Sequence, residues 1–509
     1  MKKTLLLIAT TVLSSITVLA QIHLGTGQTY PNIELAAPNI KPGDTVYLHA
    51  GAYAGYQGIT ALKGTAAKPI VITRYKKDAH TICGCWQFSS CEYIKFQYLN
   101  FKGNSSYPGR LINMDNSGDC SKQAKYIQFD SCYFSDVTDA SAVTALKFGG
   151  VDYFEVTNCV FKNAPNCDLL DFNVCHHGMI RGNYIENTLT AGHIKGGSSD
   201  ITMEKNIFIN GSSGNWVAFE YGGDTDAQFY CPNDTFEVKD LRFHSNIIVG
   251  GGRGFALSSA VNCTVTNNTI YNTSGTTFRL LNVSTLYPLN KGNKVENNIF
   301  AFSNTSAYMD ASTEPSGNPQ AVGSTSFSNN IYFSIGKTSF NGPYWESPAT
   351  DLVKEQSPLT YSSTTNMFVN AAGKDFHLAS GSPAIAAGKS ETTPAIDYYG
   401  YLYKSIRSIG ASEYNSTLAS VASIKSKTGS FVCYPNPSNT GHITLLSYDA
   451  NLGAEVHSLS IVSLTGAVVI HKTIQQLPID VDITELSRGI YFLQLSGEDF
   501  VRVEKFVVE

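Results

Sequence analysis

Between residues 112 and 281, short runs of alternating apolar and polar residues recur, and their apolar members fix the inward side of each run. These are Ile112 and Met114, Leu146 and Phe148, Leu170 and Phe172, Ile194, Val217 and Phe219, Phe255 and Leu257, and Phe278 and Leu280. Their neighbours then face outward: Asn113 and Asp115, Lys147, Asp171 and Asn173, His193 and Lys195, Glu220, Ser258 and Arg279. Only 15% of the chain is charged, so such a concentration on one face is not expected by chance. Two chemistries fit these types. A lysine takes a proton when neighbouring cations lower its pKa, and Lys195 has His193 and Arg279 as candidates for that effect. A carboxylate pair about 5–9.5 Å apart serves acid–base hydrolysis, and Asp171 with Glu220, or Glu220 with Asp224, is such a pair. The plain alternative is a solvated face, with Lys195 and Glu220 in an ion pair worth about 0–1 kcal/mol and His193 hydrogen-bonded to a turn.

The elements that position these residues are repeats. Asn183, Asn206, Asn246, Asn268, Asn298 and Asn330 form one column, continued upstream by Cys159, Cys132 and Leu99, with spacings of 33, 27, 24, 23, 40, 22, 30 and 32 residues. That period marks a solenoid. The residues are β-branched and aromatic with a two-residue alternation, so the expectation is an all-β, right-handed parallel β-helix, one coil per repeat. Stacked asparagines pair as an amide ladder, each offering the next a donor and an acceptor. With coils about 4.8 Å apart, Asp171, His193, Lys195 and Glu220 reach one sugar ring. The 40-residue gap holds an insertion, GGDTDAQFYCPNDTFE, whose Asp224 and Asp226 stand at the root of a cleft wall. Trp216 and Tyr221 are candidate aromatic contacts for a glycan.

Residues 1–20 read as a secretory signal: two lysines, an apolar run and Ala20. A solenoid over 21–414, a linker over 415–430 and a small antiparallel β-sandwich over 431–509 follow from the changes of texture. The net charge is -5, which gives no support to a nucleic-acid partner; a monomer is expected. Eleven cysteines in an exported chain permit disulfides and leave at least one thiol over. Cys167 and Cys175 are a candidate bridge, and Cys83, Cys85 and Cys91 a weak candidate metal cluster.

Three phrases carry resemblances. KPGDTVYLHAGAY from Lys41 and KDFHLASGSPAIAAG from Lys374 resemble the opening and closing phrases of secreted β-helix proteins. YPNPSNTGHITL, SIVSLTGAVV and SRGIYFLQLSGEDFVRVEKFVVE resemble the C-terminal sorting domain of the Bacteroidetes type IX secretion system, which implies that machinery as a partner and a secreted or outer-membrane surface location. The span from about 110 to 334 resembles the superfamily of pectate-lyase-like and chondroitinase-B-like enzymes. That resemblance implies a polysaccharide lyase acting on a uronate glycan, with Lys195 as base and Arg279 clamping the substrate carboxylate. It implies calcium held by Asp171, Asn173 and Glu220, with Lys147, Tyr221, Asp224 and Asp226 binding substrate. A glycoside hydrolase and a non-catalytic glycan-binding protein are the alternatives.

Overall fold

The computed structural model describes residues 21–414 and 431–508, apart from 77, 104–109, 138–143, 215, 224–230, 232–234, 282–286, 288–289, 303–307, 312–322, 346–352, 354, 391–393, 435, 437, 439–440, 448–455, 464–467, 475–476 and 498–500. The signal at 1–20, the linker at 415–430, and Asp224 and Asp226 lie outside the described residues. The chain divides into two compact units at Tyr414/Asn415.

The first unit is a parallel β-helix, because each strand pairs in parallel with its counterpart one repeat later. Three stacks result. The first contains Ala124–Asp130, Val151–Thr157, His176–Arg181 and Ser198–Glu204. The second contains Tyr133–Ser135, Ile207–Ile209, Ile247–Val249 and Thr269–Thr273. The third contains Ile112–Asp115, Thr144–Gly149, Val217–Tyr221, Arg253–Ser258 and Phe278–Leu281. Two long strands, Val160–Asn173 and Tyr184–Lys195, turn the corner and serve both the second and third stacks.

The asparagine column forms as expected. Each ladder Nδ2 donates to the next Oδ1, from Asn183 to Asn206, Asn246, Asn268, Asn298 and Asn330, at 2.9–3.3 Å. The same oxygen also accepts the preceding coil's backbone N–H. Immediately before each ladder asparagine the chain turns through a left-handed residue, with φ of 68° at Gly182, 58° at Lys205, 54° at Ser245 and 55° at Asn267. Asparagine tolerates that conformation better than other residues with a Cβ, which explains the Asn-Asn pairs at 267–268, 297–298 and 329–330. Glu355 closes the ladder, its Oε1 accepting both the backbone N–H and the Nδ2 of Asn330. Upstream, Cys132 and Cys159 are buried in the column as small apolar residues. Inside the coils phenylalanines stack on like residues, Phe101 on Phe134 and Phe134 on Phe161, with centroids 4.7 Å apart.

Residues 367–390 and 394–414 lie against the outer face of the second stack. Phe368, Phe376, Leu378 and Ile409 bury Ile247, Ile299 and Ile331, and Asn267 and Asn297 bond the backbone of Ser408 and Lys389. With that face covered, the third stack keeps the outward column of charges.

Cysteine pairing differs from the expected one. Cys120 and Cys231, 111 residues apart, form a disulfide, whereas Cys167 and Cys175 are free and buried, their thiols donating to the backbone carbonyls of Val137 and Asn173. Cys83, Cys85 and Cys91 are free as well, and among the described residues no metal-holding cluster of three exists.

The second unit is an antiparallel sandwich. Phe431–Tyr434, His442–Ser447 and Ile479–Asp482 form one sheet, and Val456–Ser463, Val468–Thr473, Gly489–Gly497 and Val501–Val508 the other. Ile443, Leu445, Leu459, Ile461, Leu493, Leu495 and Phe506 fill the space between them.

Candidate active site on the third stack

The register of the third stack sets one outward column as Gln87, Asn113, Lys147, Asp171, His193, Glu220, Ala256 and Arg279. A second, two residues on, runs Asp115, Gly149, Asn173 and Lys195. Alternation holds because the inward neighbours from Ile112 to Leu280 share the main core, with Val217 as the exception, packed with Ala256 and Leu281.

Asp171 is the centre of the arrangement. Its Oδ2 pairs with Lys147 Nζ at 2.5 Å. Its Oδ1 accepts from Asn173 Nδ2 at 2.7 Å and has Lys195 Nζ at 3.7 Å and His193 Nε2 at 3.9 Å. Burial pushes the Asp171 carboxyl up, but His193, Lys195 and Lys147 outweigh it and hold the group at about 2. His193 Nε2 lies 3.1 Å from Asp168 Oδ2, an aspartate absent from the sequence-derived set. Asp168 sits where the register breaks between Ala164 and Asp168, at the corner where alternation no longer says which way a side chain points.

Several sequence-derived assignments change. Tyr221 is fully buried and its hydroxyl donates to the Arg242 carbonyl at 2.9 Å; it shares the inward side with Phe219, so it offers a glycan no surface. Ser258 is also buried and stacks in register with Leu281, outside the charged column. Trp216 is 52% exposed. Arg279 is 6% exposed and aligns with Ala256, which aligns with Glu220. It therefore stands three coils, about 14 Å, beyond His193, too far to share one sugar ring with Lys195. Asp171 and Glu220 are separated by the coil of His193, and Asp171 is already surrounded by nitrogen donors. The three expected calcium ligands are thus not gathered into one oxygen cage.

The disulfide also bears on this face. Cys120 follows the strand Ile112–Asp115, and Cys231 belongs to the insertion after Glu220, so the bond ties the insertion across four coil steps. Both cysteines sit in polar stretches, SGDCSK and YCPND, unlike the ladder cysteines; in an exported chain that is the signal that would have paired them.

Comparison with known proteins adds one assignment. Residues 432–509 match the family described as the secretion system C-terminal sorting domain. The antiparallel sandwich is therefore a type IX sorting domain, and the protein is secreted or held at the cell surface. No curated protein matches the sequence. Among solved structures, the chain is similar to an alginate lyase of family PL6, AlyGC, at 12% identity and a TM-score of 0.41. The alignment covers 82% of this chain and 60% of that one, so the chain spans less than two thirds of that lyase. A PL6-family polysaccharide lyase from Pseudopedobacter saltans aligns at 14% identity and a TM-score of 0.45, over 71% of this chain and 96% of the other. A family 28 exopolygalacturonase from Yersinia enterocolitica aligns at 10% identity and a TM-score of 0.41, over 67% and 78%.

Proposed function

We propose that the protein is a secreted polysaccharide lyase that cleaves a uronate-containing glycan by β-elimination. The observation that supports this reading is the convergence of Lys147, His193 and Lys195 on Asp171, on the outward face of an exported solenoid. An anionic sugar is drawn to such a cluster. Lys195, as the neutral amine, takes the proton from C5, beside the uronate carboxylate. The electron pair forms the C4–C5 double bond, the C4–O bond breaks, and His193, oriented by Asp168, gives a proton to the departing oxygen. Lys147 stands beside the ring's carboxylate. A hydrolase is less well supported: Asp171 is engaged by Lys147 and Asn173, and its partner Glu220 lies two coils, about 10 Å, off.

The test is the ultraviolet absorbance of an unsaturated uronate when the purified protein meets a panel of acidic glycans, with and without chelator. Lys195→Ala is expected to lower kcat/KM by about a hundred- to ten-thousand-fold, and chelation to leave the rate unchanged. New reducing ends without ultraviolet absorbance would move the assignment to hydrolysis. Binding without either product would leave a glycan-binding protein.

A further inference from the structure

The first stack, a different face from the charged column, carries on its outer surface a groove of about 470 Å³ that crosses successive coils. One wall is a stack of rings: Tyr93 on Tyr126, Tyr126 on Tyr153 and Tyr153 on His177, with centroids 4.2, 4.9 and 4.7 Å apart. Each ring stands at the residue that the parallel register skips, one per coil, and each backbone there is left-handed, with φ of 54°, 58°, 55° and 56°. On the following coils the same position holds Asp200, Asp240 and Asn262. Aspartate and asparagine suit that backbone and a bulky ring does not, so turn geometry does not select the tyrosines. Stacking offsets part of the strain, yet Tyr126 and Tyr153 remain 38% and 44% exposed. An outlier repeated on three coils beside a groove points to a task at the surface.

Gln128, Glu155, Met179, Thr202 and Arg242 follow one another in register and form the floor. The far end is braced: Asp200 Oδ1 accepts from Arg242 Nη2 at 2.6 Å, Asp200 Oδ2 lies 2.8 Å from His177 Nδ1, and Arg242 Nη1 reaches Thr202 Oγ1 at 3.5 Å. Glu155 is exposed in the middle of the floor. Two carboxylates against one guanidinium leave the groove without net positive charge, unlike the face around Lys147 and Lys195, so nothing here draws an anionic sugar. Carboxylates accept, the guanidinium donates, and glutamine, threonine and tyrosine do both. Spaced one coil apart, these groups extend over three coil steps, about 14 Å. A ligand that meets them is long, uncharged and lined with hydroxyls. An added peptide strand finds no backbone partners, because the N–H and C=O groups of these strands are taken by the neighbouring coils.

We propose that this groove is a second glycan-binding site, for a chain of neutral sugars, whose hydroxyls donate to Glu155 and accept from Arg242 while their C–H surfaces lie against Met179 and the rims of Tyr126 and Tyr153. It goes beyond the uronate reading and needs none of the residues of the elimination, so the two stand or fall separately.

The experiment is calorimetric titration of the intact protein with β-1,4-linked hexasaccharides of glucose, xylose and mannose and with a uronate hexasaccharide. Wild type, Glu155→Ala, Tyr153→Ala and Lys195→Ala are compared, with circular dichroism and thermal unfolding as fold controls. Glu155→Ala and Tyr153→Ala are each expected to weaken binding of a neutral hexasaccharide at least about tenfold, and Lys195→Ala to leave it within about twofold. Glu155 takes no part in the ring stack, so its variant carries the test if Tyr153→Ala fails to fold. Turnover of short uronate oligosaccharides should be the same in Glu155→Ala as in wild type. No binding of any neutral hexasaccharide, or binding kept in Glu155→Ala and lost in Lys195→Ala, would overturn the site and leave the lyase reading standing. Binding of the uronate hexasaccharide alone, lost in Glu155→Ala, would overturn the neutral ligand. Neutral binding that depends on Glu155, with no turnover of any uronate glycan, would support the groove and overturn the lyase.

Discussion

Asp171 shows how one carboxylate organises a face. It is 5% exposed, and Lys147 and Lys195 are close to it, with side chains only 13% and 19% exposed, so solvent does little to screen them. Asp171→Asn would leave the cations facing one another over a neutral amide. We expect a loss of about 3 kcal/mol at pH 7, measured by urea unfolding. The pH dependence has a definite sign. The folded group titrates at about 2, below the usual 3.8 of an aspartate, so its stabilisation is present above about pH 4 and disappears as pH falls through 2. The gap between wild type and Asp171→Asn should therefore narrow by about 2 kcal/mol over that window. A gap independent of pH would mean that the asparagine costs through packing, not charge.

At the scale of the element, the ladder is the part of the fold that was most legible. A spacing and a repeated Asn-Asn pair announce both the amide column and the left-handed turn before it. Asn246 tests it: its Oδ1 accepts both the N–H and the Nδ2 of Asn206, and its own amide group donates to Met203 and Asn268. Asn246→Ala strands those partners in a fully buried column and should cost about 2–4 kcal/mol. Glu355→Gln at the ladder's end is expected to stay within about 1 kcal/mol. A glutamine oxygen still accepts from Asn330, its nitrogen donates to the Tyr332 hydroxyl, and burial, which raises the Glu355 carboxyl, ceases to matter. Equal losses in the two urea titrations would argue against a ladder-specific role. The candidate site was legible only as far as alternation reaches. Period two placed Lys147, Asp171, His193 and Lys195 on one face. The coil of Ala256 and Ser258 already stands between Glu220 and Arg279 in that order, and three coils at about 4.8 Å put Arg279 out of reach of Lys195. Alternation fails at the corner that holds Asp168, and applied strictly it already puts Tyr221 inside.

At the scale of the whole molecule, stability in a solenoid is close to a sum over neighbouring coils, so a cross-link spanning several coils acts differently from any single contact. The Cys120–Cys231 bond encloses a separation of 111 residues, and the strands of the third stack from Lys147 to Glu220 lie within it. Export to an oxidising compartment, which the sorting domain provides, is the condition under which such a bond persists. The sandwich unit has its own core and, among its described residues, a single free thiol, Cys433. Calorimetry should therefore resolve two transitions in the intact protein. Reductant, or Cys120→Ser, should lower only the solenoid transition, by the equivalent of about 2–4 kcal/mol, with the sandwich transition in place. If both transitions moved together, the units would be coupled. If neither moved, closing the loop would contribute nothing to stability.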